Sequence, residues 1–155
     1  MVASLNGQLM DWKYGRSIVK CFIQNLSDNE LDRILPRKNL NTIRKQCEEL
    51  VQIQSCYVRA LKTRTIDFTY QPLSNVSKDS LLNSMNELDE RNESYLQDFD
   101  GTEVIRWFGE EQNVHQHVSA MIGHEQMHIG QIIAFCYATS IEIPDEIVHK
   151  MSLNG

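Results

Sequence analysis

The sequence predicts an all-α protein, a four-helix bundle formed by one domain over residues 1–155. Three observations lead there. Four long segments carry apolar side chains at helical spacing, strand-like character is confined to one short stretch, and Pro36, Pro72 and Pro144 fall between those segments rather than inside them.

The first helix is expected from Leu5 to Leu26, where Leu5, Leu9, Trp12, Val19, Phe22, Ile23 and Leu26 repeat along one face. Gly15 sits in its middle at a cost in helix propensity, which close packing against a neighbour explains. Ser27 followed by Glu30 is a capping-box signature for one extra turn that ends before Pro36. The second helix runs from Thr42 to Thr63 with Asn41 as its N-cap, and Ile43, Cys47, Leu50, Tyr57, Val58 and Leu61 form its core face. A long loop, Arg64 to Val76, lets the next helix begin far from where this one ends. The third helix, Lys78 to Phe99, is capped by Ser77 and closed by Gly101, with polar Asn92 interrupting its apolar stripe. Glu103 to Phe108 (EVIRWF) reads as an extended connector and a hydrophobic cover. The fourth helix, Val114 to Thr139, starts at Asn113 with Gln116 three residues on. The tail from Ile141 to Gly155 is partly apolar and is expected to pack back on the bundle.

Composition narrows the function classes. At 155 residues the chain is large enough to build a core without disulfides or zinc staples, so a bound metal points to function rather than folding. A net charge of −6 argues against nucleic acid or an anionic membrane surface as partner. Cys21, Cys47, Cys56 and Cys136 form no C-x-x-C pair and lie on or beside apolar stripes, as buried thiols of a reducing compartment do. Met1 to Trp12 mixes Asn, Gln and Asp into its apolar residues, unlike a signal peptide, and no stretch is long enough to span a membrane; the expected location is the cytoplasm.

The sharpest local signal is HEQMH, residues 124–128. His124 and His128, four apart on a helix, share a face with beta carbons about 5–6 Å apart and can hold one borderline divalent ion such as Zn²⁺, Ni²⁺ or Fe²⁺. Met121, Ile132 and Phe135 lie on the same face, which turns the pair inward. The second helix offers adjacent carboxylates. Glu48 shares its face with Gln52, Ser55 and Arg59, whereas Glu49 lies with Ile53, Cys56 and Ala60 at the margin of the apolar arc. A carboxylate facing inward is costly unless it is paired or binds metal, so Glu49 is the candidate third ligand and Glu48 the exposed member. Two histidines and one carboxylate leave coordination positions open. His117, about 10 Å along the axis from His124, is too far to share the ion and reads as a satisfied core or rim histidine; His115 reads as exposed.

HEQMH also satisfies the H-E-x-x-H pattern of zinc metalloproteases, but Gln131 and Ala134 stand where the metzincin extension needs Gly and His, and the short tail leaves little room for a further ligand helix. Residues 120–144 (AMIGHEQMHIGQIIAFCYATSIEIP) instead resemble the last helix of the DinB-like (DinB/YfiT) superfamily, with His124 and His128 followed by Gly130, Gln131 and an apolar run. Residues 48–68 are similar to its second helix, and RWFGEE (106–111) to the segment ahead of its last helix. The resemblance implies a bundle of the DinB/YfiT type, a metal between the second and fourth helices, and a homodimer. Its usual third ligand is a His on the second helix; counting back from Tyr57 places that position at Glu49, so a carboxylate replaces an imidazole there. For activity it implies a metal-dependent transferase that joins a low-molecular-weight thiol to a small electrophile. The alternatives are a metal-dependent hydrolase and a metal- or ligand-binding protein without turnover.

Overall fold

The periodicity of the first segment becomes α1 (Ala3–Asn25) in a computed structural model that describes residues 2–153. Leu5, Leu9, Trp12, Val19, Phe22 and Ile23 are its buried face, as the spacing predicts. The capping box at Ser27 is complete and starts the one-turn α2 (Asp28–Leu31): the Glu30 N–H donates to Ser27 Oγ, and the Ser27 N–H to the Glu30 carboxylate. α3 (Ile43–Thr63) is capped by Thr42, not by Asn41. The Thr42 hydroxyl takes the Lys45 N–H, while the Asn41 side chain accepts from Lys45 Nζ instead. α4 (Lys78–Gln97) is capped by Ser77 as expected but stops short of Phe99. Gly101 does not close it. That glycine belongs to a separate turn at φ +94°, where the Asp100 and Gly101 N–H groups both donate to the Glu103 carboxylate.

The connector ahead of the last long helix is a hairpin. β1 (Val104–Trp107) pairs antiparallel with β2 (Glu110–Asn113), and Phe108 and Gly109 turn the chain with both φ angles positive, +49° and +95°. The extended reading of residues 103–108 accounts for β1. β2, EEQN, has neither alternation nor β-branched residues, and it is a strand because β1 and the turn hold it there. The exit of α3 joins the same sheet edge: the Ile66 N–H donates to the Arg106 carbonyl, and the Arg106 N–H to the Arg64 carbonyl.

α5 (Val114–Thr139) begins on the Asn113–Gln116 capping box, and α6 (Asp145–Met151) is the tail, with Ile141, Ile143 and Ile147 buried against the bundle. α1 packs on α4 and α5, and α3 packs on the same two, so the four long helices close a ring around one core. Side-chain bridges fix their directions. Gln46 reaches His128 and His117 reaches the Tyr57 carbonyl, so α3 and α5 are antiparallel. Arg44, at the start of α3, reaches the carbonyl of Val76 just ahead of α4, so α3 and α4 run parallel. That is why the long loop after α3 is needed: it returns the chain along the whole bundle. A Cβ on Gly15 would lie 2.7 Å from the Gln126 side chain and 3.5 Å from that of Glu125, which is the close α1–α5 approach the glycine permits. Among the described residues no helix is long and apolar enough to cross a membrane.

Candidate metal centre

Antiparallel packing of α3 on α5 brings Glu49, His124 and His128 together, with one potential ligand atom from each lying within 4.8 Å of the others. His128 Nε2 is 2.7 Å and His124 Nε2 3.6 Å from Glu49 Oε2. Donor atoms held about 2.0–2.2 Å from one ion stand roughly 3–3.5 Å apart, a range these separations bracket. His128 is buried, while His124 (16% exposed) and Glu49 (24% exposed) leave the cluster open on one side.

The hydrogen bond behind His128 decides what the site can accept. Gln46 Nε2 donates to the Leu40 carbonyl, which turns Gln46 Oε1 toward the ring, and His128 Nδ1 lies 2.6 Å from that oxygen. The ring proton of a neutral His128 is therefore on Nδ1, and Nε2 presents its lone pair to Glu49 Oε2. Neither of these two buried atoms has a hydrogen-bond partner among the described residues. Lone pairs that face each other at this distance need a positive charge between them, either a proton or a metal ion. Burial by itself raises the Glu49 carboxyl, but its contacts with His124 and His128 outweigh this and hold it down at about 2. Glu49 is thus an anion at neutral pH, aimed at two imidazole nitrogens. The residues present fit a divalent cation.

Glu48 is half-buried rather than the exposed member of the pair, because its carboxylate accepts from the buried Gln52. It does not join the cluster. Glu125, the Glu of HEQMH, points the other way. It is buried 3.2 Å from Arg16 Nη1 and accepts from Gln54 Nε2. A metalloprotease needs that carboxylate at the metal-bound water, so the geometry rules out the protease pattern. Arg16 also donates through Nε to Asp89, which Lys20 and the Trp12 indole reach as well. The sequence reading missed this layer. Its signal was Arg16 itself, which sits on the apolar stripe between Trp12 and Val19. The Gln46 support of His128 was missed too, because nothing near Gln46 in the sequence marks its partner.

His117 is a satisfied core histidine. It accepts from Trp107 Nε1 at Nδ1 and donates from Nε2 to the Tyr57 carbonyl, and burial lowers its pKa to about 4, so it is neutral. His115 is half-buried, with Nδ1 bonded to Gln8, not exposed. All four cysteines are free and buried, and burial raises every one of their pKa values, Cys136 to about 11 and Cys47 to about 12. None is an activated nucleophile. Tyr57 flanks the site with its ring 6.0 Å from that of His124, and Phe68 and Trp107 pack against Tyr57 in turn. Clefts of about 480, 290 and 240 Å³ lie elsewhere: between the end of α1 and the start of α6, between α3 and α4, and beside the hairpin.

Comparison with known proteins identifies the family and the fold. The family model of the DinB superfamily matches residues 13–132, a span that contains Glu49, His124 and His128. The crystal structure of a DinB-like protein from Bacillus cereus ATCC 10987 is similar over 90% of this chain and 95% of that one, with a TM-score of 0.72 and 16% sequence identity. At that identity the likeness shows a common fold. No curated protein matches the chain.

Proposed function

We propose that this chain, which belongs to the DinB superfamily, holds one divalent cation through Glu49, His124 and His128 and uses it to join a low-molecular-weight thiol to a small electrophile. The observation that carries the metal reading is the buried approach of His128 Nε2 to Glu49 Oε2, two atoms whose facing lone pairs a proton or a metal ion must bridge, with His124 Nε2 close enough to serve as the third donor. The His₂Glu set suits Zn²⁺ or Fe²⁺, with Ni²⁺ as a further possibility, and it leaves coordination positions free. A bound divalent cation with open positions lowers the pKa of a coordinated thiol, so that thiolate is present at neutral pH. The protein's own groups do the rest. Gln46 fixes the tautomer and orientation of His128, Glu49 stays ionised, and the protonated, buried cysteines do not compete as nucleophiles. The sulfur–carbon bond forms as the leaving group departs with its electron pair, and the thiol proton passes to solvent. Four buried free thiols also suit a reducing cytoplasm.

Protein purified without a histidine tag and analysed for metals is expected to carry about one Zn, Fe or Ni per chain, and to conjugate a low-molecular-weight thiol to an electrophile such as 1-chloro-2,4-dinitrobenzene. Absence of any bound metal overturns the metal reading. Full occupancy with no turnover over a broad panel of thiols and electrophiles selects the non-catalytic metal-binding reading. Ester or amide cleavage without added thiol selects the hydrolase.

We also propose a homodimer. Gly123, Met127, Gly130, Ala134 and Tyr137 form one exposed stripe along α5, with Met127 48% and Tyr137 62% exposed. Small residues at this spacing let a second helix approach closely. Light scattering at micromolar concentration is expected to give twice the chain mass, and Tyr137→Glu to halve it; a wild-type monomer refutes the assembly.

A further inference from the structure

Phe108 combines two unfavourable choices. At 78% exposure it is the most exposed large apolar side chain among the described residues, and it occupies the first turn position of the hairpin at φ +49°. Such a position favours Gly, Asn or Asp and strains any residue with a bulky Cβ substituent. Nothing in the packing of the bundle requires a phenyl ring there.

What the ring does have is a chain of ring contacts that runs over the buried Tyr57 to the candidate metal centre. Phe108 stacks on Phe68 (6.1 Å between centroids, 26° between planes), Phe68 stands edge-on to Tyr57 (5.6 Å, 83°), and Tyr57 reaches His124 (6.0 Å). Trp107 walls the row, 6.2 Å from Phe68 and 6.3 Å from Phe108. The row is fixed in place, because Trp107 donates to His117 and His117 to the Tyr57 backbone. Its width is limited. Arg106, Gly109, Glu110 and Glu111 flank Phe108 and are exposed, so the apolar surface is one or two rings across. A macromolecular partner needs on the order of 800 Å² per side, whereas a single aromatic ring needs only a face or edge at about 4.5–7 Å.

We infer that Phe68 and Phe108 are the binding shelf for the aromatic end of an elongated, uncharged substrate whose other end reaches the Glu49–His124–His128 cluster. The shelf rests on the proposed metal function only for the identity of the reacting end. Three contacts between neighbouring rings separate Phe108 from His124, which is why the ligand is elongated and why specificity for its tail is set by the hairpin rather than by the metal.

The test titrates the neutral fluorescent probe N-phenyl-1-naphthylamine against wild type, Phe108→Gly and His128→Ala. Wild type is expected to bind it with enhanced emission, and Phe108→Gly to bind it about tenfold more weakly. The melting temperature of Phe108→Gly should stay at or above that of wild type, because glycine relieves the left-handed turn position. His128→Ala is expected to bind the probe like wild type, since the shelf does not depend on the ion. In the metal-loaded enzyme, Phe108→Gly should raise KM about tenfold for an elongated electrophile whose reacting carbon is joined by a chain to a terminal phenyl ring, and leave KM for iodoacetamide unchanged. Equal probe binding by wild type and Phe108→Gly overturns the shelf. So does a change from dimer to monomer in Phe108→Gly, which would make the ring a contact between copies. Probe binding as expected with no turnover in wild type leaves the shelf standing and refutes the transferase.

Discussion

His128→Ala is expected to empty the metal centre. The substitution removes one of three donors and leaves Gln46 Oε1 without the ring N–H that now faces it. Loss of an outer-shell partner alone costs about 10–100-fold in affinity, so loss of the ligand should exceed roughly 100-fold, and the purified variant should carry no stoichiometric metal. A ligand at 1,000 times its Kd stabilises the folded state by about 4 kcal/mol, so the metal-dependent rise in melting temperature expected of wild type should be absent in the variant. The helical signal should persist, because the core surrounds the centre without relying on it. Glu49→His is the companion. It places an imidazole at the third position and is expected to keep metal, with a preference shifted toward softer ions as nitrogen replaces a hard carboxylate oxygen. Elemental analysis of the three proteins decides the matter. Equal occupancy in wild type and His128→Ala refutes the ligand assignment.

Arg16→Ala should be the most destabilising single change away from the centre. The Arg16 side chain is only 1% exposed, lies 3.2 Å from Glu125, donates to Asp89 at 3.1 Å, and places its guanidinium 4.6 Å from the centre of the Trp12 ring. Its removal strands Glu125, which is equally buried and has Gln54 as its remaining donor. Burial already raises the Glu125 carboxyl and Arg16 opposes that, so without the guanidinium the carboxyl protonates more readily. Breaking a buried ion pair by deleting one partner costs about 3–5 kcal/mol. At this chain length that corresponds to a melting temperature lower by roughly 6–20 °C. The double variant Arg16→Met/Glu125→Leu should recover much of the loss, because an apolar pair of similar volume leaves no charge stranded. Urea midpoints for the three proteins measure it; a cost under about 1 kcal/mol for Arg16→Ala would show that the ion pair contributes little.

The two variants mark where sequence reading succeeded and where it stopped. His124 and His128 share one helix, so their common face follows from a repeat of 3.6 residues and needs no knowledge of the fold. Glu49 could be chosen over Glu48 because helical phase put it at the edge of an apolar arc, and the resemblance pointed to the same position. The phase argument overstated the contrast between them, since Gln52 folds over Glu48 and half-buries it. Helix ends were legible where a cap lies within three residues of its target, as at Ser27, Ser77 and Asn113. They were misread at Asn41 and Gly101, where two adjacent polar residues or two nearby turns compete for the same role.

By itself, then, the sequence determined the four helices, most of their buried faces and the common face of His124 and His128, because each depends on residues a few positions apart that share one local geometry. Only the tertiary structure decided that Gln46 sets the tautomer of His128, that Arg16 faces Glu125, that EEQN is a strand and that Phe108 stands at the end of a row of rings leading to His124. Each of these joins partners on different elements. A side chain's own helix fixes its direction, but what it meets there depends on how two helices cross and slide past one another, which local periodicity does not encode.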